Sequence, residues 1–261
     1  MSVVPPPGIR WADAPTADVV AARLTGVRRR LAEAGADPDR VRVVAVTKGF
    51  GPAAAAAAVA VGLTDVGENY AQELVAKAAA LGSAPAGPWP PAGSGGVPRW
   101  HHLGAVQRRQ VPRLARLVTL WHGVCRAAEG RAIAAVVPGA PVLVQLELTG
   151  LPGRRGVEAA AAGSLVAELR DAGVEPVGVM AMGVPEEPRR TGAVFRRAVA
   201  VADDLGLPER SLGMSGDLEE AAAAGGTVVR VGRALFGDRP APGPVVADGP
   251  EPVHPRRPPP H

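Results

Sequence analysis

Along most of the chain, short runs of aliphatic, often β-branched residues alternate with longer stretches rich in Ala, Leu, Arg and Glu. The short runs have the length and composition of strands, and the long stretches carry a helical period. Strands are predicted at Val41 to Val46, Leu63 to Val66, Trp100 to Leu103, Leu117 to Trp121, Val142 to Leu148, Val177 to Ala181, Ser211 to Met214 and Val228 to Val231. Helices are predicted at Ala17 to Ala34, Pro52 to Val61, Glu68 to Leu81, Gln107 to Leu114, Arg126 to Val136, Val157 to Ala172, Pro188 to Leu205, Asp217 to Ala224 and briefly after Gly232. Eight strand-helix units predict an α/β fold, a single (β/α)8 TIM barrel, with an open doubly wound sheet as second choice.

The same pattern fails at three places. Residues 1–15 and 239–261 are Pro-rich without a helical or strand period, so both read as flexible tails around a barrel spanning 16–238. Residues 82–98, GSAPAGPWPPAGSGGVP, read as a Pro/Gly-rich loop insertion whose removal should leave the fold intact.

Composition narrows the picture. The 261 residues are 47% hydrophobic but only 3% aromatic, so the core must be packed with Ala, Val and Leu. No apolar run approaches the roughly 20 residues of a membrane helix, and MSVVPPPGIR lacks the basic start and apolar core of a signal segment. A soluble, cytoplasmic protein that binds no membrane is the expectation. Cys125, the single cysteine, has no internal disulfide partner and reads as a buried structural thiol. The basic run RRQVPRLARL, Arg108 to Leu117, has no interleaved aromatics or nucleic-acid motif, so a solvated helix face is expected and nucleic acid is not.

Basic residues outnumber acidic by 29 to 25, yet only two are lysines, Lys48 and Lys77. A lysine that persists among arginines draws attention to the one property arginine lacks, a nucleophilic amine. Lys48 follows the first strand on the alternation of Val44 and Val46 and reads either as a Schiff-base amine in a barrel mouth or as an exposed strand-end cation. Asn69, in GENYAQE, is either a helix cap or a second mouth residue. In WHHLGAVQ, His101 and His102 fall on opposite strand faces, so at most one faces the interior. His122 stands alone, no partner has metal-ligand spacing, and no metal is expected.

Near the carboxyl end, GMSGDLE places Ser215 and Gly216 before one predicted helix, and VRVGRALFG places Gly232 and Arg233 before another. Two glycine turns at helix amino termini after the last two strands suit a phosphate group, although Asp217 also reads as a simple cap. Arg230 lies among valines inside a strand and must meet a buried acceptor, either a carboxylate or a ring nitrogen of a bound cofactor.

Taken together, VAVTK (44–48), GENYAQE (67–73), WHHLGAVQ (100–107), GMSGDLE (213–219) and VRVGRALFG (229–237) closely resemble the YggS/PROSC family of pyridoxal phosphate homeostasis proteins, over roughly Val20 to Gly237. The resemblance implies a barrel like the N-terminal domain of alanine racemase, carrying pyridoxal 5'-phosphate. By position it implies Lys48 as the Schiff-base lysine, Ser215, Gly232 and Arg233 as phosphate binders, Arg230 facing the pyridine nitrogen, and Asn69 and His101 around the pocket. It further implies a homeostatic binder without sustained catalysis, a monomer whose partners are the cofactor and apoenzymes that depend on it.

Several positions depart from the family pattern. Arg233 stands where Thr is usual, WHFIGxLQxNK becomes WHHLGAVQRRQ, GMSDD becomes GMSGD, and a TVDS-like stretch becomes HGVC ending at Cys125. Two other classes are weighed. An amino-acid racemase of this fold takes one base from a tyrosine on a separate β domain; none is expected after residue 237, and Tyr70 is the only tyrosine. A cofactor-free Schiff-base aldolase would need a proton relay beside Lys48 that the sequence does not identify.

Overall fold

The computed structural model describes Pro5, Pro6, residues 10–84, Trp89 and residues 96–238. Within these, the β-branched runs form eight strands: β1 (Arg42–Val46), β2 (Asp65–Glu68), β3 (Arg99–His102), β4 (Val118–Val124), β5 (Pro141–Gln145), β6 (Glu175–Met180), β7 (Glu209–Ser211) and β8 (Val228–Val231). All neighbours pair in parallel, and β1 pairs with β8 through Val44↔Arg230 and Ala45↔Val231, so the sheet closes into the expected barrel. The helices wrapped around it are α1 (Ala17–Glu33), α2 (Pro52–Ala60), α3 (Ala71–Leu81), α4 (Val111–Leu114), α5 (Ala127–Ala134), α6 (Ala162–Asp171), α7 (Pro188–Asp204), α8 (Leu218–Ala224) and α9 (Arg233–Phe236).

Strand alternation divides the core in two. Outward residues such as Val43, Ala45, Trp100, Trp121, Val142, Val144, Val229 and Val231 join the helices in one large apolar cluster. Helix α1 contributes Val20, Leu24, Val27 and Leu31, one stripe at helical spacing, and α2 offers only alanines at its buried positions, which lets it lie close to the strands. A separate small cluster, Leu120, Leu143, Val177 and Met180, lies within the ring of strands. The rest of that interior combines inward valines, Val44, Val46 and Val228, with polar side chains.

Element boundaries shift where side-chain bonding outweighs local propensity. Glu68 does not open a helix: it ends β2, fully buried, and α3 starts at Ala71. The seventh strand ends at Ser211, and Gly213, at φ 79°, turns the chain where a strand to Met214 was expected. The segment before α6 first bridges Leu146 through Val157 and then makes a 3-10 turn at Ala159–Ala161.

The structure ties down parts of the irregular segments. The amino-terminal tail does not extend to residue 15: the Ala12 N–H donates to the Gly49 carbonyl at 2.9 Å, and the Trp11 ring lies over Gly51. The insertion at 82–98 is anchored to the barrel at one described residue, Trp89, which packs against the interior apolar cluster. Its indole N–H donates to Glu209 at 2.7 Å, Arg42 stacks 4.7 Å from its ring centroid, and it meets His101 edge-on. The predicted tail 239–261 lies outside the described residues.

Trp89 thus covers the interior beside Arg42, at the amino ends of the strands. Trp89→Ala is expected to cost about 1–3 kcal/mol, below a full core truncation because the ring is only half-buried. Urea unfolding of the two chains measures it, and an unchanged midpoint would show the insertion to be dispensable after all.

Candidate functional site

Lys48 lies two residues past the end of β1, in a tight turn in which the Phe50 N–H donates to the Thr47 carbonyl at 3.0 Å. Gly49, at φ 82°, occupies the turn position where a side chain would be strained. Lys48 therefore does not close the strand, and strand alternation does not govern it; its side chain is half-buried.

The backbone on both sides of Lys48 is clamped from outside the barrel, by the other lysine and by a carboxylate paired with it. Lys77, fully buried on α3, donates to the Thr47 carbonyl at 2.8 Å, to Glu68 Oε1 at 2.5 Å and to Glu73 Oε2 at 3.0 Å. An ammonium has three N–H donors, and here each has an acceptor; a planar guanidinium could not meet that arrangement. Thr47 Oγ1 donates to Glu68 at 2.5 Å, and the Gly49 N–H donates to Glu73 at 2.8 Å. Burial, with Glu73 adding to it, pushes the Glu68 carboxyl up to about 7 against the pull of Lys77.

Inside the barrel a chain of polar side chains crosses from β2 to β8. Asp65 Oδ1 lies 3.0 Å from His101 Nε2, His101 Nδ1 lies 3.0 Å from His122 Nε2, and His122 Nδ1 lies 3.0 Å from Ser211 Oγ. Arg230 Nη1 donates to both Ser211 Oγ and the Ser211 carbonyl at 2.7 Å, and Nη2 donates to the Ala181 carbonyl at 3.0 Å. Within the protein the acceptors of Arg230 are two carbonyls and a hydroxyl, not the carboxylate that the sequence also allowed. Burial lowers the guanidinium to about 10, still charged at neutral pH, and Asp217 partly offsets the shift. His122, expected to stand alone, is the centre of this chain.

The two glycine turns meet at the rim. Ser215 Oγ accepts the Ala234 N–H at 3.0 Å, tying the loop after β7 to the first turn of α9. Arg30 on α1 holds that loop through the Ser215 carbonyl at 3.1 Å and Glu219. Arg233 is exposed, and its guanidinium lies 3.9 Å from where a Cβ on Gly216 would stand. Asp217 caps its own turn by accepting the Met214 N–H. Asn69 follows β2 half-buried and is not the cap of α3, a place taken by Tyr70. A Cβ on Gly104 would collide with the Asn69 carbonyl, so glycine is what lets these strand ends nest.

This fold and this rim have relatives. Residues 22–240 match the family model of the alanine racemase N-terminal domain. A pyridoxal phosphate homeostasis protein of Deinococcus radiodurans is 37% identical over 83% of this chain and 99% of its own length. One from Escherichia coli K12 is 31% identical over 84% of this chain and 97% of its own. The chain belongs to the pyridoxal phosphate homeostasis protein family. Among solved structures, PipY of Synechococcus elongatus with PLP bound is 28% identical, at a TM-score of 0.69, over 84% of this chain and all of that one. Alanine racemase from Corynebacterium glutamicum, 18% identical at a TM-score of 0.60, shares the fold over 87% of this chain.

Against the family pattern, the unusual His102 faces outward, against Trp121, while His101 faces inward, as alternation requires. Burial lowers His102 to about 4. Cys125 is not fully buried: its Sγ accepts from Arg155 at 3.2 Å, and Arg155 also reaches Glu129 at 2.8 Å. Sequence reasoning missed Asp65, Ser211, Glu68 and Glu73. Only the Glu73–Lys77 pair carried a readable signal, its i,i+4 spacing on one helix.

Removing the ammonium by Lys77→Met leaves two buried carboxylates facing each other and is expected to cost about 3–5 kcal/mol of stability. Adding Glu68→Gln should recover part of it, as read by chemical denaturation. A pH series tests the buried histidine. The unfolded chain takes up a proton below about pH 6.5 that folded His102 refuses until about pH 4, so its contribution to stability is lost as pH falls through that window. His102→Leu should therefore flatten the acid-side decline by up to about 1.4 kcal/mol per pH unit.

Proposed function

We propose that this protein holds pyridoxal 5'-phosphate through a reversible covalent bond to Lys48 and serves intracellular homeostasis of that cofactor without sustained catalysis. The residues present suit the group chemically. An amine suits its aldehyde, a cation with spare N–H donors suits its ring nitrogen, and two facing turns with a hydroxyl suit its phosphate. When bound, pyridoxal phosphate supplies an electron-withdrawing ring conjugated to the carbon attached to the protein.

In this reading Lys48 contributes the nucleophile, losing two protons to the water released on condensation. Ser215, the Gly232 turn and Arg233 hold the phosphate, with the Arg233 guanidinium in the role of the family's usual hydroxyl. Asn69 borders the ring. Both nitrogens of His101 are spent on Asp65 and His122, so it orders the pocket from beneath instead of bonding a ligand.

The observation that carries the non-catalytic part is Arg230. Three of its N–H bonds are committed to Ser211 and Ala181, and a guanidinium has five, so two remain for a ring nitrogen. Because a guanidinium lowered only to about 10 does not give up its proton near neutrality, it leaves the ring nitrogen unprotonated and the ring a weak electron sink. The only tyrosine, Tyr70, is 59% exposed at the start of α3, which disfavours a racemase assignment. The family names of the Deinococcus and Escherichia relatives, and the PLP bound in PipY, support the same conclusion. A cytoplasmic monomer that passes its cofactor to apoenzymes completes the proposal.

Protein loaded with pyridoxal phosphate is expected to show a visible absorbance band that Lys48→Ala lacks. Borohydride should fix the added mass on the peptide containing residue 48, and alanine should not be racemised at enzyme-like rates. An unmodified Lys48 peptide would sink covalent binding, and rapid racemisation would sink the non-catalytic assignment.

A further inference from the structure

Arg230 is the last member of a buried chain whose other members have no place in cofactor contact, and hydrogen-bond stoichiometry fixes the direction of that chain. Arginine has no lone pair to offer, so at the Ser211 hydroxyl Arg230 donates and Oγ accepts. At the other end the Asp65 carboxylate is held ionised: burial opposes its charge, but Arg99, His101 and Arg42 together bring its pKa well below the usual range. It can only accept. Between these ends, one pattern satisfies every atom. Ser211 Oγ–H donates to His122 Nδ1, His122 Nε2–H donates to His101 Nδ1, and His101 Nε2–H donates to Asp65. Any other arrangement places a proton on His122 Nδ1. There it would face the Ser211 hydroxyl, which already accepts from Arg230 and would be left with no acceptor for its own O–H.

We propose that Asp65, His101, His122 and Ser211 act as a one-way hydrogen-bond chain that positions Arg230, with Asp65 as the anchor that sets both histidine tautomers. The inference rests on the cofactor reading for its consequence, the aim of Arg230 at the ring nitrogen, but the chain itself is a property of the protein alone. Asp65 is a positioning residue: it acts three side chains away from the guanidinium. Its own grip comes from Arg99, at 2.9 and 2.7 Å, and Arg42, at 3.2 Å, so the amino end of the barrel is linked to its mouth.

The test has two arms. In the cofactor-free full chain, nitrogen-15 NMR of the histidine rings, assigned with single variants, should find the ring proton of His101 and of His122 at Nε2, with Nδ1 bare in each. His101→Phe should release His122 from that tautomer, as should Asp65→Leu where it folds. A proton on His122 Nδ1, or a tautomer indifferent to His101→Phe, overturns the proposal. In the second arm, His122→Phe loaded with nitrogen-15 pyridoxal phosphate should still be trapped at Lys48 by borohydride. Its ring-nitrogen shift should move, and it should release cofactor about tenfold faster. An unmoved ring shift and release rate also overturn it. If wild type traps no cofactor, the functional reading fails and the first arm alone decides the chain.

Discussion

A cation buried inside a ring of strands has to be solvated by the protein itself, and Arg230 shows how much structure that requires. A guanidinium placed among valines without acceptors would be untenable. Here Ser211 and Ala181 supply three contacts, and the hydroxyl among them needs an acceptor of its own. That need passes through His122 and His101 and ends only at a carboxylate, Asp65, which two arginines hold in place. One charge on β8 thereby dictates inward-facing residues on β2, β3, β4 and β7. The barrel interior accordingly carries a polar chain, flanked by the apolar cluster of Leu120, Leu143, Val177 and Met180 and by the inward Val44, Val46 and Val228.

The same logic explains the two lysines. Lys48 sits in a glycine turn, a locally soft element, yet the peptide groups on either side of it are tied down by Glu73, by Lys77 and by the Ala12 N–H. Lys77 survives in an arginine-rich chain because its three acceptors converge on a point, which a compact ammonium fits and a planar fork does not. Burying one ammonium with two carboxylates is poor value as stability but good as specification: the arrangement is satisfied only when β1, β2 and α3 meet in one register. The rigid clamp lies outside the barrel, on the face of the turn away from the strands' interior, and the Lys48 side chain itself is half-buried.

Local pattern made much of this legible. All eight strands were readable because β-branched runs punctuated by glycine and proline are a local signal, and the alternation in Trp100–Leu103 correctly allowed one inward histidine. What that histidine meets was not readable, because His122 and Asp65 come from other strands and only the register of the closed sheet brings them together. Glu68 was misread for a related reason. In GENYAQE it looks like the acidic start of a helix, and what holds it in a strand is a buried lysine nine residues on and a threonine from β1. Trp11 and Trp89, embedded in Pro-rich sequence, were read as parts of loose segments since nothing local announces a packing partner.

The rim shows how one departure from the family pattern can be accommodated. Replacing a small hydroxyl residue by Arg233 would fill a phosphate cup if the long side chain folded inward. It lies instead toward Gly216, where this chain has no side chain at all. A carboxylate there would have paired with the guanidinium and cancelled it; glycine leaves it as a cation beside the turn of Ser215. In the proposed reading, glycine at 216 and arginine at 233 act together, since both favour a dianion at the rim. On that reading a neutral hydroxyl contact to the phosphate would be exchanged for an electrostatic one, stronger at close range and more sensitive to salt.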